Sequence, residues 1–144
     1  MEVEEGVKEL LSRTEIQLDT EEYIIVSLRL EQEKKARESL NSLASFSSIT
    51  YDYKEVSIVA KNTEWNKVKK KFTDYEKTGP YKLITFNIVL DLSIVGFMAT
   101  VSKKLADAGI SIYAISTYLR DHILVQSEDA ENAVRVLENL IIGS

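Results

Sequence analysis

Apolar residues recur along this chain at two spacings, and the change from one to the other comes round twice in the same order. In residues 14–18, Ile16 and Leu18 alternate with polar neighbours, and residues 23–30 are rich in Ile, Val and Tyr, so both runs predict strands. The polar residues 19–22 between them predict a turn. In residues 31–44 the spacing lengthens: Ala36, Leu40 and Leu43 fall four and three apart among charged residues, as in an amphipathic helix. Residues 46–53 and 55–61 return to strand patterning and predict an antiparallel hairpin turning at residues 52–55. Thr63 then caps a helix carrying Trp65, Val68 and Phe72 on one side.

Gly79-Pro80 holds the only proline of the chain and predicts a boundary. Beyond it the same order returns: a strand at 81–90, a helix at 94–108, a hairpin from 110–118 and 121–126, and a helix at 128–141. An offset of 66 residues places Ser45 on Ser111, Ile49 on Ile115, Lys54 on Arg120 and Glu55 on Asp121. It continues with Ile58 on Leu124, Val59 on Val125 and Val68 on Val134, which argues for an internal duplication. By this offset Glu55 takes the Asp121 position, so a second, weaker pocket is expected in the first half.

Each copy reads β, α, β, β, α, and one more strand completes the βαββαβ ferredoxin-like plan, an antiparallel sheet with both helices on one face. The expected fold class is α+β, two such units in tandem. Residues 72–76 are available as the fourth strand of the first unit. Only Ile142, Gly143 and Ser144 follow the last helix, so residues 14–18 are expected to cross over and complete the second sheet. The expected division is an N-terminal extension at 1–13, a first unit at 14–78 and a second at 79–144. In the extension Val3, Val7, Leu10 and Leu11 have helical spacing and predict a short acidic helix.

Composition narrows the partners. A net charge of -5 argues against nucleic acid, whose phosphates call for clustered Lys and Arg. The one basic cluster, Lys67, Lys69, Lys70 and Lys71, reads as a solvated helix face. There is no cysteine, hence no disulfide, thiolate nucleophile or Cys-based zinc site. The start of the chain carries Glu2, Glu4, Glu5 and Lys8 rather than a targeting pattern, and no apolar run approaches the roughly 20 residues that span a bilayer. A cytoplasmic protein without membrane contact is expected.

Candidate chemistry concentrates in residues 91–128. Ile94, Met98, Val101, Leu105 and Ala108 form one apolar stripe, expected to be core, and Gly109 ends that helix as a C′ glycine. At the helix start lie Asp91, Ser93 and Gly96. The plainer reading is a cap by Ser93. The functional one is a site whose exposed N–H groups receive a carboxylate. Ser116, Thr117, Tyr118 and Asp121 then gather polar groups on a hairpin, with Asp121 the nearby anion for an ammonium. His122, the only histidine, has no second His, no Cys and no nucleophile at a recognisable spacing, so it is expected as a half-exposed strand residue and not as a base or metal ligand.

The segment DLSIVGFMATVSKKLADAGISIYAISTYLRDHILVQSED resembles the C-terminal module of small tandem ACT-domain proteins: an Asp-bearing loop, a Gly, a helix, Ala-Gly-Ile, Ile-Ser-Thr-Tyr, and an Asp before Leu-Val. The Ser-Thr-Tyr and Asp-x-Ile-Leu-Val elements are similar to those in the ACT modules of the cytosolic arginine sensor. Residues 45–60 resemble the family's first half more loosely, and the Pro-Gly that commonly follows the Asp in ACT domains is absent here. The resemblance implies a non-enzymatic regulatory module that binds an amino acid or other small molecule at a domain or subunit interface. It also implies side-by-side pairing into a homo-oligomer and a regulated protein partner, with no cofactor. Carried onto this chain, Ser93, Ile94, Val95 and Gly96 meet the ligand backbone, and Ser116, Thr117, Tyr118 and Asp121 line the facing wall. The alternative reading is a structural or protein-interaction module of the same fold that binds no ligand.

Overall fold

The computed structural model describes residues 5–89 and 94–143. Along the chain run α1 (Glu5–Ser12), β1 (Glu15–Arg29), α2 (Glu33–Ser39), β2 (Ser47–Tyr51), β3 (Glu55–Lys61), α3 (Asn62–Val68) and β4 (Glu76–Asn87). Then come α4 (Phe97–Asp107), β5 (Tyr113–Ser116), β6 (Asp121–Gln126) and α5 (Ala130–Ile142). The chain forms two compact units, residues 21–81 and residues 1–20 with 82–144.

In the first unit, residues 21–81, the strands neighbour one another in the order β2-β3-β1-β4, the antiparallel ferredoxin-like arrangement. Ile24, Val26 and Leu28 of β1 and Val56, Ile58 and Ala60 of β3 face Ala36 of α2 and Trp65 and Val68 of α3 in one core. Trp65 stacks on Phe72 at 5.8 Å and meets the Tyr75 ring edge-on at 5.1 Å. Phe72 and Tyr75 lie in the connection before β4 and not in a strand over 72–76, because both rings are taken by the core beneath α3.

The second unit has the order β1-β4-β6-β5. Ile84 and Phe86 of β4 and Ile123 and Val125 of β6 pack against Phe97, Val101 and Leu105 of α4 and Ala133 and Leu137 of α5. The extension expected at residues 1–13 is not set apart, since α1 buries Val7 and Leu11 in this same core.

Two expected breaks prove to be strand. Residues 19–22 are no turn: β1 runs through them without interruption. Its pairing with β3 begins only at Tyr23, opposite Lys61, so the residues before it lack that neighbour, and polar side chains suit such an edge. Gly79-Pro80 likewise lies inside β4. Gly79 has φ +151°, and a Cβ there would stand 3.1 Å from both Ile24 Cγ2 and the Tyr23 carbonyl oxygen. The glycine therefore serves a close approach to β1 rather than a loop.

The helices are shorter than their polar patterning suggested. The helix expected over 31–44 is α2 preceded by one 3-10 turn at Leu30–Gln32. Thr63 lies within α3, whose N-cap is Lys61, and so caps nothing. The stripe of α4 is turned from the expected one: Phe97, Thr100, Val101 and Leu105 are buried, while Ile94 precedes the helix and is 39% exposed. Phe97 wins the inward position because its ring meets Phe86 edge-on at 5.7 Å. At the other end Gly109, φ +76°, closes a Schellman motif, with Ile110 N–H on the Leu105 carbonyl and Gly109 N–H on that of Ala106, both at 2.9 Å.

The duplication is real in structure but its offset is not 66. The hairpins close on Tyr51↔Val56 and Ser116↔Asp121, both positions 65 residues apart. Core residues follow the same 65: Ile58 and Ile123, Ala60 and Val125, Ala36 and Val101, Leu40 and Leu105, Val68 and Ala133, Phe72 and Leu137. Because strand side chains alternate, the one-residue slip exchanges faces, so Arg120 and not Asp121 is the counterpart of Glu55. The first strands correspond at 60, Ile24 with Ile84 and Val26 with Phe86. Five additional residues therefore separate β4 from α4, in the connection that holds Gly96.

Candidate functional site

In the second unit the start of α4 and the β5–β6 hairpin carry the candidate residues. Gly96 is the N-cap of α4, at φ +95° and ψ -7°. Its carbonyl accepts the Thr100 N–H at 3.0 Å and the Thr100 hydroxyl at 2.9 Å, which fixes the first turn. Val95 is 73% exposed beside it. Ser93, expected on the same wall, lies outside the described residues.

The hairpin is held by its own polar groups. Ser116 Oγ donates to Asp121 Oδ1 at 2.7 Å across the closing pair. The Thr117 N–H and hydroxyl both donate to the Arg120 carbonyl at 2.9 Å, and Arg120 Nη1 reaches Asn87 Oδ1 on β4 at 3.3 Å. Asp121 makes no ion pair among the described residues, so its charge is available to a cation. Tyr118, 80% exposed, projects at the tip.

His122 is not half-exposed as expected but 4% exposed. It faces Thr85 Oγ1 at 2.8 Å through Nδ1 and Thr117 Oγ1 at 3.3 Å through Nε2. Since the Thr117 hydroxyl proton goes to the Arg120 carbonyl, the network assigns the proton to Nε2, and Nδ1 accepts from Thr85. Burial pushes its pKa down, the nearby Arg120 charge adds to this, and Asp121 opposes it. The ring is a neutral strut between β4 and the hairpin.

The structure thus joins Ser116 to Asp121 directly and Thr117 to both through the turn. No hydrogen bond among the described residues ties Ile94, Val95 or Gly96 to that group. Thr85, Asn87 and Arg120 belong to the polar network yet escaped the sequence reading. For Thr85 and Asn87 the signal was polar residues at alternate positions in the last, mostly apolar part of β4, and Arg120 lies in the β5–β6 turn. The set offers hydroxyls, a carboxylate and a guanidinium, and its closest hydroxyl–imidazole contact, Thr85 on His122, is buried among the strands rather than presented on the surface. No group of three or more His, Asp or Glu among the described residues is placed to hold a metal ion. No described helix is long and apolar enough to cross a membrane.

Strand order and helix placement define an α+β protein of ferredoxin-like units. Residues 79–139 match the family model of the ACT domain. No curated protein sequence matches it. Among solved structures it is similar to a Vibrio cholerae protein described as of unknown function and a possible transport protein, with TM-score 0.72 and 21% identity over 94% of this chain and 96% of that one. It is similar to an Agrobacterium tumefaciens protein at TM-score 0.73 and 25% identity over 90% of each chain. It also shares its fold with the ligand-free regulatory subunit of aspartate kinase from Thermus thermophilus, at TM-score 0.66 and 15% identity over 88% of this chain and 97% of that one.

Proposed function

We propose that this chain is a non-catalytic regulatory protein that binds a small molecule, an amino acid, and passes the signal to a protein partner. The carrying observation is the Ser116–Asp121 pair, a carboxylate without an ion pair among the described residues, on the exposed hairpin of the ACT half. In this reading Asp121 receives the ligand's ammonium, with Ser116, Thr117 and Tyr118 around it. Residues 93–96, Ser93, Ile94, Val95 and Gly96, meet its carboxylate end. The regulatory role is supported by the likeness to aspartate kinase regulatory subunits. Val95, Tyr118 and Leu119 are 73%, 80% and 55% exposed, which fits a site closed by a second subunit.

A thermal-shift panel of amino acids tests this. Ligand at 100 times its dissociation constant stabilises by about 2.7 kcal/mol, a rise of several degrees. Asp121→Ala is expected to abolish the response while leaving the unliganded melting temperature nearly unchanged. A response that survives Asp121→Ala contradicts the site. A flat panel favours a module that uses the same exposed apolar residues for a protein partner and binds no small molecule.

A further inference from the structure

Two features set the second unit apart from the first, and they meet. One is α1, which has no helical counterpart among the described residues of the first unit. The other is the lengthened connection from β4 to α4, which ends at Gly96, the N-cap of α4. Val7 of α1 stands over that end, with its Cγ2 3.6 Å from the position a Gly96 Cβ would take. The contact falls where the first turn of α4 is fixed, since the Gly96 carbonyl accepts both the N–H and the hydroxyl of Thr100.

For an element that reaches the core, α1 is lightly held. It is 8 residues long, a length at which a helix is marginal in water, and it includes Gly6, a poor helix former. Its polar contacts close on themselves: Ser12 Oγ donates to the Glu9 carbonyl, Arg13 pairs with Glu9, and Thr14 Oγ1 donates to the Leu10 carbonyl. Among the described residues no hydrogen bond or ion pair joins α1 to α4 or α5. Val7 and Leu11, with the half-buried Leu10, supply the attachment by packing into the second core against α5. An element with so few apolar anchors opens before the unit as a whole does.

We propose that α1 is a detachable strap across the start of α4, and that its docked and released states are the two states of the second unit. Release lifts Val7 from Gly96, carries Leu11 out of the core and frees the first turn of α4. The coupling to a small molecule rests on the ligand reading of residues 93–96 given above. A ligand that meets the docked Gly96 backbone favours the docked strap, and by linkage the docked strap raises ligand affinity by the same factor.

Native-state hydrogen exchange of the full chain at low urea tests the strap without any ligand. The Arg13, Thr14 and Thr100 amides are bonded to the Leu10, Leu11 and Gly96 carbonyls. They are expected to share one opening, about a hundredfold or more as frequent as that of the Ile84 and Ile123 amides and less steep in urea. Val7→Ala is expected to speed all three by one common factor of about ten. Val125→Ala, on β6, destabilises docked and released states alike, so it is expected to speed Ile84 and Ile123 and leave the three unchanged. Where a variant fails to fold, the wild-type urea series decides alone. The strap is overturned if the three amides open only together with Ile84 and Ile123, or if Thr100 does not follow Arg13 and Thr14. The link to the ligand is read separately: each amino acid that raises the melting temperature is expected to slow the same three amides by one factor, and binding that leaves Arg13 and Thr14 unchanged overturns it. A flat panel refutes the ligand reading and the link with it, while the strap is still decided by the urea series.

Discussion

Replacing Gly79 by alanine probes the contact that brings β4 against β1 in the first unit. At φ +151° an L residue is strained, at about 1–3 kcal/mol. The added Cβ also stands 3.1 Å from Ile24 Cγ2 and from the Tyr23 carbonyl oxygen. The methyl can give way by rotation, but the carbonyl belongs to the backbone of β1, so crowding adds about 1–3 kcal/mol. The expected loss is about 2–6 kcal/mol. Gly109→Ala is the comparison, because Gly109 also has positive φ, +76°, but nothing lies within 4 Å of its Cβ position. Only conformational strain of about 1–2 kcal/mol is then expected. Urea unfolding followed by fluorescence of Trp65, the sole tryptophan and part of the first unit's core, reads the Gly79 change directly. With a slope of about 1–3 kcal/mol per molar urea, the midpoint is expected to fall by about 1–3 M. A Gly79→Ala midpoint no lower than that of Gly109→Ala, followed by far-UV circular dichroism, would refute the close-approach argument.

Three further outcomes follow from the second unit. His122 keeps its neutral form to lower pH than a free histidine, so between its folded value and the ordinary value of about 6.5 the unfolded chain binds more protons. Stability is therefore complete above about pH 6.5 and declines as pH falls through the folded value; urea midpoints across this range are expected to show a slope that His122→Gln removes, and an identical slope in the variant would contradict the strut. Leu105→Ala, at 0% exposure in the second core, is expected to cost about 2–5 kcal/mol in denaturant unfolding, and a loss under 1 kcal/mol would mean the site collapses around the gap. Tyr118→Ala, at the exposed hairpin tip, is expected to change stability by no more than about 0.5 kcal/mol; a larger loss would give the ring a structural role at odds with its place in the proposed site.

Much of the architecture was legible along the chain. β3 and β6 match the patterned runs at 55–61 and 121–126 residue for residue, because each is a short run of buried, largely apolar residues bounded by polar ones. The supposed turn at 19–22 misled because polar residues mark an edge as readily as a loop, and Gly79-Pro80, close to the division of the units at 81 and 82, marks a close approach within a strand and not a loop. Of the candidate site, Ser116 and Asp121 were identifiable as polar residues where a hairpin needs none. Thr85, Asn87 and Arg120 were not, since their role depends on which positions of β4 and β6 stand side by side.

The sequence by itself determined the repeated element order, the apolar faces and the ACT resemblance of the second half, all of which rest on local spacing and residue type. Tertiary structure decided the register of the repeat. A shift from 66 to 65 is nearly invisible in a string of similar aliphatic residues, yet it turns every strand side chain to the opposite face. It thereby sets Glu55 against Arg120 instead of Asp121, and Ser57 against His122.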